Sequence, residues 1–166
     1  DPQMEPAKER KLRKWIKEGK ISSDEFNDLL QEKLVERCMF WGDVLGVCDW
    51  KFYLRITRIA DMIMDGCVAE VAYNDELAKA HISICSPCDF LRTNSRDTEQ
   101  ELIHELLHVR LRRLVISMGF MHKPLNAIQN VLMENVIDQM SQGIIDMART
   151  TDKGVIIPVI IIGGDD

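Results

Sequence analysis

The stretch ELIHELLHVRL, residues 101–111, constrains the local fold because it sets two histidines and a glutamate at helical spacing. In an α-helix, residues four apart lie on the same face, so the imidazoles of His104 and His108 can meet at one point. Glu105 follows His104 directly and points about 100° further round the helix. The stretch therefore predicts a helix that presents two imidazoles with a carboxylate beside them.

The order of these three residues is H-E-x-x-H, the pattern in which two histidines bind Zn²⁺ and the glutamate is the general base of a peptidase. We interpret His104 and His108 as zinc ligands and Glu105 as the catalytic base. The alternative is an ordinary packed helix whose two histidines are satisfied by hydrogen bonds. The combination of two histidines and a glutamate in this order favours the metal site.

A second acidic pair lies further along the chain, in VLMENVIDQM. Glu134 and Asp138 are four residues apart and therefore share one helical face. The residues that flank that face are Val131, Ile137 and Ile145. Carboxylates among apolar neighbours are costly unless they are paired or bind a metal. Because a catalytic zinc usually has three protein ligands, we predict Glu134 as the third. Asp138 would accept a hydrogen bond from the far nitrogen of a ligand histidine.

Two alternatives to this assignment stay open from the residues alone. His122 is the only histidine after His108 and is the other candidate for the third ligand. The pair Glu134 and Asp138 is also compatible with the solvated acidic edge of a surface helix.

The remaining pattern predicts an α+β fold with a small antiparallel sheet. Strands are expected from the aromatic and β-branched residues of WKFYLRITRIA, and over 67–73 and 78–85 with a turn at NDEL between them. Helices are expected over 7–18, from a cap at Ser22 or Ser23 to about residue 42, from a capping box of Thr98 and Glu101 to Met118, and over 126–149.

Length and composition limit the classes of function. The chain has 166 residues and 46% hydrophobic residues, which favours a single folded domain, placed at 1–150, followed by an apolar tail at 151–166. A net charge of −6 argues against nucleic acid as a partner, and no run approaches the length of a membrane span. Five cysteines suggest no disulfide framework, which indicates a reducing, cytoplasmic setting.

The motif H-E-L-L-H at 104–108, followed by E-N-V-I-D at 134–138, resembles the gluzincin clan of zinc peptidases. The small size is most similar to the minigluzincins and to small phage or prophage metallopeptidases. The resemblance covers about residues 50–145. It implies Zn²⁺ as cofactor, held by His104, His108 and Glu134, with Glu105 as base and Asp138 orienting His104.

The resemblance also implies a three-stranded, mainly antiparallel sheet packed on the active-site helix and on a glutamate-bearing helix, with helices preceding them. It implies a peptide or protein substrate, for which strand 78–84 is a candidate docking edge. Larger gluzincins stabilise the transition state with a Tyr or His from a further subdomain. His81, His122, Tyr73 or an arginine would have to substitute here.

Three features leave further interpretations open. The pair CSPC at 85–88 could be half of a structural zinc site with Cys38 and Cys48, or a redox pair, but ordinary cysteines are favoured. The tail GVIIPVIIIGGDD is expected to add a strand or pack on the core, and could hold the enzyme latent by covering the cleft. The competing function is a metal-binding interaction or regulatory protein without proteolytic activity.

Overall fold

The computed structural model describes residues 22–64, 67–86, 96–119, 125–150 and 161–162. Within these ranges the elements follow one another as one helix, a small sheet and two further helices. They are helix α1 (Ser23–Val44), strand β1 (Lys51–Thr57), a 3₁₀ turn (Ile59–Asp61), β2 (Ala69–Asn74), β3 (Lys79–Cys85), β4 (Arg96–Asp97), α2 (Thr98–Ser117), α3 (Ala127–Thr150) and β5 (Ile161–Ile162). The predicted α+β class is confirmed.

The three-stranded sheet is mixed, with the order β1-β3-β2. Strand β2 pairs with β3 antiparallel, as predicted, through the turn that joins them. Strand β1 runs parallel to β3, so the expectation of a mainly antiparallel sheet is wrong for this pair. The expectation that strand 78–84 is an edge is also wrong, because β3 is the central strand. The sheet edges are β1 and β2.

The central position of β3 agrees with its composition. Ala80, Ile82 and Ile84 are fully buried on the face toward the helices, while Ser83 and Cys85 are buried on the other face. From Ile82 to Cys85 the strand is therefore covered on both faces and lacks the polar alternation of a half-exposed strand, whereas His81 is exposed. Strand β1 alternates instead between exposed and half-buried residues.

Helix α1 packs along β1 and covers its free edge. The helix begins at the N-cap Ser22, one of the two predicted caps, and Ser22 forms a reciprocal capping box with Glu25. From α1, the Gln31 side-chain amide donates to the carbonyl oxygen of Leu54 at 2.7 Å. Its oxygen accepts from the Ile56 N–H at 2.8 Å. Gln31 therefore satisfies backbone groups of β1 that a neighbouring strand would otherwise bind.

Helix α2 packs on β2 and β3, and α3 packs on α2. The core between these layers is formed by apolar side chains that recur at helical spacing on α1, α2 and α3. They include Phe26, Leu30, Leu34, Trp41, Leu102, Ile103, Leu106, Ile137 and Ile145. Burial of this face fixes the helical rotation of α2 and hence the direction in which its histidines point.

Polar contacts at the start of α2 set its position. Asp97 is the N-cap and its side chain accepts from the Gln100 N–H, so the capping box predicted from Thr98 is wrong. Thr98 is fully buried instead. Asp97 also accepts two hydrogen bonds from the Arg149 guanidinium, at 2.5 and 3.1 Å. This bidentate pair ties the end of α3 to the beginning of α2.

A buried glutamate joins α2 to α1. Glu99 Oε1 accepts from Arg37 Nε at 2.8 Å and from Trp41 Nε1 at 2.7 Å. Burial raises the pKa of Glu99, while these two donors lower it. The three helices are therefore held together at the end where α2 begins.

Several sequence-based expectations fall outside the described residues. These are the basic helix over 7–18, His122, Cys88 of the CSPC pair and most of the tail. The described part of the tail, Ile161–Ile162, pairs antiparallel with Arg96–Asp97 in a separate two-stranded ladder. Within the described part of the chain, no helix has the length and apolar content needed to cross a membrane.

Candidate metal centre

The two motif histidines lie on α2, one turn apart, on the side that faces α3. Their ring centroids are 4.9 Å apart and both imidazoles are half-buried. Glu134 and Asp138 lie one turn apart on α3 and face the same space. The antiparallel packing of two helices thus brings the histidine pair and the carboxylate pair together.

Three ligand atoms converge at the centre of this arrangement. His104 Nε2 lies 3.1 Å from His108 Nε2 and 3.0 Å from Glu134 Oε2. The other carboxylate oxygen, Glu134 Oε1, lies 3.1 Å from His108 Nε2. Across the described ranges, His104, His108 and Glu134 are the one group of three such residues whose ligand atoms all lie within 4.8 Å of one another.

The spacing and chemistry of these atoms fit a zinc ion. Zinc–ligand bonds of about 2.05 Å at tetrahedral angles place two ligand atoms about 3.3 Å apart. The distances of 3.0 and 3.1 Å differ from this value by only a few tenths of an ångström. Two imidazoles and one carboxylate also leave a fourth position open, as a catalytic site requires.

Asp138 sets the tautomer of His104. Its Oδ1 lies 2.8 Å from His104 Nδ1, so the ring donates its Nδ1 proton to the carboxylate. His104 Nε2 then carries a lone pair directed at His108 and Glu134. With at most one proton on His108 Nε2, several lone pairs face one another, and a divalent cation would satisfy them.

The exposure of the carboxylates differs from the sequence-based argument. The side chains of Glu134 and Asp138 are 51% and 64% exposed, so they are not enclosed by apolar neighbours. Ile137 and Ile145 are fully buried one step round the helix and face the core instead. The reason for a metal here is thus the convergence of ligand atoms, not a cost of burying carboxylates.

Glu105 lies beside the cluster and is buried, with 6% of its surface exposed. Burial, with a further contribution from the Glu134 carboxylate, raises the pKa of Glu105 to about 8. Burial also lowers the pKa of His108, although Glu134 opposes this effect. The neutral form of His108 is the form that can bind a metal.

Two residues near Glu105 were not selected from the sequence. Glu70 on β2 and Glu101 on α2 both raise the pKa of Glu105 through their charges. Glu70 is itself nearly buried, and its carboxylate accepts from the N–H groups of Ile63 and Met64, each at 3.0 Å. Glu70 could have been identified from the sequence, because it is a charged residue within a predicted strand.

The candidates for stabilising a transition state separate into two groups. His81 stacks on Tyr53 with ring centroids 4.7 Å apart, on the sheet face opposite the buried Ala80 and Ile82. It therefore lies on the wrong side of the sheet for this role.

Tyr73 lies on the helix side of β2 and packs against Trp50. Arg112, one turn after His108, covers the Tyr73 ring at 4.9 Å and donates to Asp75. Burial raises the pKa of Tyr73, and the charge of Glu105 contributes to the rise. Tyr73 and Arg112 therefore stay candidates for this role.

Asp138→Ala is expected to weaken zinc binding by about 10- to 100-fold, because His104 loses the acceptor that fixes its tautomer. Competition with a chromophoric zinc chelator measures the change. Asp146→Ala is the matched control, since Asp146 is an exposed acid on the same helix whose carboxylate accepts from the Gln142 side chain. Equal affinities for the two variants would exclude a role of Asp138 at the metal.

A scan against models of known protein families and searches of curated proteins and of solved structures give no match for this chain.

Proposed function

We propose that this chain is a zinc-dependent peptidase in which His104, His108 and Glu134 hold the metal and Glu105 is the general base. The observation that carries the proposal is the convergence of the three ligand atoms, with a buried glutamate beside them. A site that only stabilised the fold would not require a further, non-ligating carboxylate at this place.

Each residue has a separate task in the proposed reaction. When bound, zinc supplies Lewis acidity, which makes a water molecule acidic near neutral pH and polarises a carbonyl group. Glu105 accepts a proton from the attacking water and returns it to the leaving amine. Asp138 keeps His104 in the tautomer whose Nε2 can act as a ligand.

The substrate is proposed to bind along β2 as an added strand. Strand β2 is an edge of the sheet, and α2 packs directly on it. The opposite edge, β1, is occupied by the Gln31 side chain. An extended peptide paired with β2 would gain main-chain hydrogen bonds and pass close to Glu105, whereas one at β1 would not.

Metal removal tests the proposal. The purified chain is expected to contain about one zinc per molecule by elemental analysis and to cleave members of a peptide library, as detected by mass spectrometry. A chelator should abolish cleavage, and added Zn²⁺ should restore it. Zinc binding without any cleavage would favour the alternative, a metal-binding interaction protein. Absence of zinc binding would contradict both functions.

A further inference from the structure

The sheet face opposite the helices carries a groove that the proposed reaction does not use. Its cavity volume is about 450 Å³. This volume lies within the range of about 300–1,000 Å³ that is typical of ligand pockets. We name it the outer groove. Its outward-pointing lining residues are Tyr53, Arg55, Ile63, Met64, Glu70, Ala72, His81 and Ser83.

The strand register arranges the outer groove in two rows. Tyr53, His81 and Ala72 form one row across β1, β3 and β2. The first two members of this row are stacked rings, with an angle of 10° between their planes. The third member is an alanine, whose side chain is too small to cover the other face of the His81 imidazole, and His81 is exposed. A planar group above Ala72 would continue the stack.

The second row consists of Arg55, Ser83 and Glu70. Arg55 Nε donates to Ser83 Oγ at 3.0 Å, which draws the guanidinium toward the middle of the sheet. Since successive residues on one face of a strand are about 7 Å apart, the guanidinium lies within reach of a carboxylate on a ligand bound above Ala72. The hydrogen bond therefore places a cation beside the open ring face.

The wall of the groove is apolar and held in place. Ile63 and Met64 are 78% and 58% exposed. Their backbone N–H groups both bind the Glu70 carboxylate, which fixes this wall against β2. Because its oxygens are engaged there, Glu70 acts mainly as an anchor for the wall. Exposed apolar side chains on a fixed backbone suit contact with another apolar group.

Further cations lie one row beyond the ring pair. Lys51 and Lys79 are partners in the register of β1 and β3 on the same face as Tyr53 and His81. Lys51 Nζ lies 5.4 Å from the centre of the Tyr53 ring. In a chain with a net charge of −6, the two lysines and the arginine of the second row outnumber the glutamate of the groove lining, so this face has a local excess of positive charge. Its charge is complementary to an acidic ligand.

We propose that the outer groove binds a peptide segment that carries an aromatic side chain among acidic residues. The aromatic ring would stand above Ala72 against His81, with Ile63 and Met64 on its other side. Arg55 would bind an adjacent carboxylate, and Lys51 and Lys79 would attract the remaining negative charge. A peptide is favoured over single-stranded nucleic acid because a peptide can carry only the few carboxylates that these three cations match. A phosphate backbone carries a charge at every nucleotide, which a chain with a net charge of −6 would repel more strongly.

The proposal does not rest on the peptidase function. The outer groove and the metal centre lie on opposite faces of the sheet, as the buried row Ala80, Ile82 and Ile84 separates them. Binding can therefore be measured in the presence of a chelator, when no metal-dependent cleavage takes place. A failure of the peptidase proposal would leave this measurement unaffected.

Fluorescence anisotropy with labelled peptides tests the outer groove. The probe is a fluorescein-labelled peptide with one tryptophan between glutamates. Comparison peptides replace the tryptophan by alanine or the glutamates by lysines, and a labelled oligothymidylate represents nucleic acid. Wild type should bind the first probe at least about tenfold more tightly than either comparison peptide.

Two variants change the groove by different means. Ala72→Leu fills the space beside His81 and should weaken binding of the probe at least about tenfold. Arg55→Gln removes the cation and should weaken it about fivefold. Arg58→Gln makes the same charge change at an exposed position outside the groove. Its affinity for the probe should stay within about twofold of the wild-type value. Circular dichroism reports whether each variant is folded, and Arg55→Gln keeps the test valid if Ala72→Leu is not.

Three results would overturn the proposal. The first is no binding of the acidic aromatic peptide to folded wild type. The second is equal binding by wild type and a folded groove variant. The third is tighter binding of the oligothymidylate than of the peptide, which would make the basic sheet face a nucleic-acid surface instead.

Discussion

Glu105→Gln is expected to lower the rate of peptide hydrolysis by about a thousandfold while the zinc content stays at the wild-type level. The amide has nearly the size of the carboxylate, so the buried space beside the cluster stays filled. It cannot accept a proton from water, however, and the proposed reaction loses its base. Hydrolysis of a fluorogenic peptide, measured beside elemental analysis for zinc, reports both quantities on the same sample.

Glu32→Gln is the matched control for this variant. Glu32 is exposed on α1, and the same chemical change there should leave both hydrolysis and zinc content unchanged. If Glu105→Gln retained wild-type activity, Glu105 would not be the base. If the variant lost its zinc as well, Glu105 would act at the metal itself or through the fold, and the assignment of roles would have to change.

Glu134→Ala is expected to weaken zinc binding by more than about a hundredfold. Loss of a residue that only orients a ligand lowers metal affinity by about 10- to 100-fold, and loss of a direct ligand should lower it further. The remaining imidazoles of His104 and His108 would form a two-ligand site of much lower affinity. Isothermal titration of the metal-free chain with Zn²⁺ gives both stoichiometry and affinity.

Two further variants give this experiment its contrast. Asn135→Ala changes the neighbouring exposed residue of α3 and should bind zinc like wild type. His122→Ala tests the other candidate for the third ligand, and we expect little effect from it. If His122→Ala weakened zinc binding and Glu134→Ala left it unchanged, His122 would be the third ligand and the proposed ligand set would be contradicted.

The local features of the site were predictable because they depend on spacing along a single helix. Residues four apart in an α-helix lie about one turn apart on the same face. This places His108 next to His104, and Asp138 next to Glu134. The order of the two motifs then predicted that their helices would meet. The distances among His104, His108 and Glu134 are those that such a meeting requires.

The order of the strands was not predictable in the same way, since it depends on pairing between distant segments. The short turn between β2 and β3 made their antiparallel pairing evident. The chain gave no comparable signal that β1 pairs with β3 rather than with β2. One signal was overlooked: ISIC at the end of β3 is apolar or small at successive positions, which indicates a strand segment buried on both faces.

The side-chain environment was the least predictable level. Ile137 and Ile145 near the carboxylates suggested burial, but a helix turns these isoleucines toward the core and Glu134 toward the open side. Likewise, Thr98 with Glu101 resembled a capping box, while the preceding Asp97 offers a competing acceptor and becomes the N-cap. In both cases a one-residue rotation or shift decides the environment, and only tertiary packing fixes it.

The Gln31 side chain limits how copies of this protein could associate through their sheets. A sheet with two open edges can add a neighbour on each side and so polymerise without end. Here one edge is closed by an amide that imitates the backbone of a strand. Association through β2 would therefore stop at a symmetric pair, because the three-stranded sheet of each copy would offer a single edge. The hydrogen bonds of Gln31 would thus limit growth of this sheet to two copies.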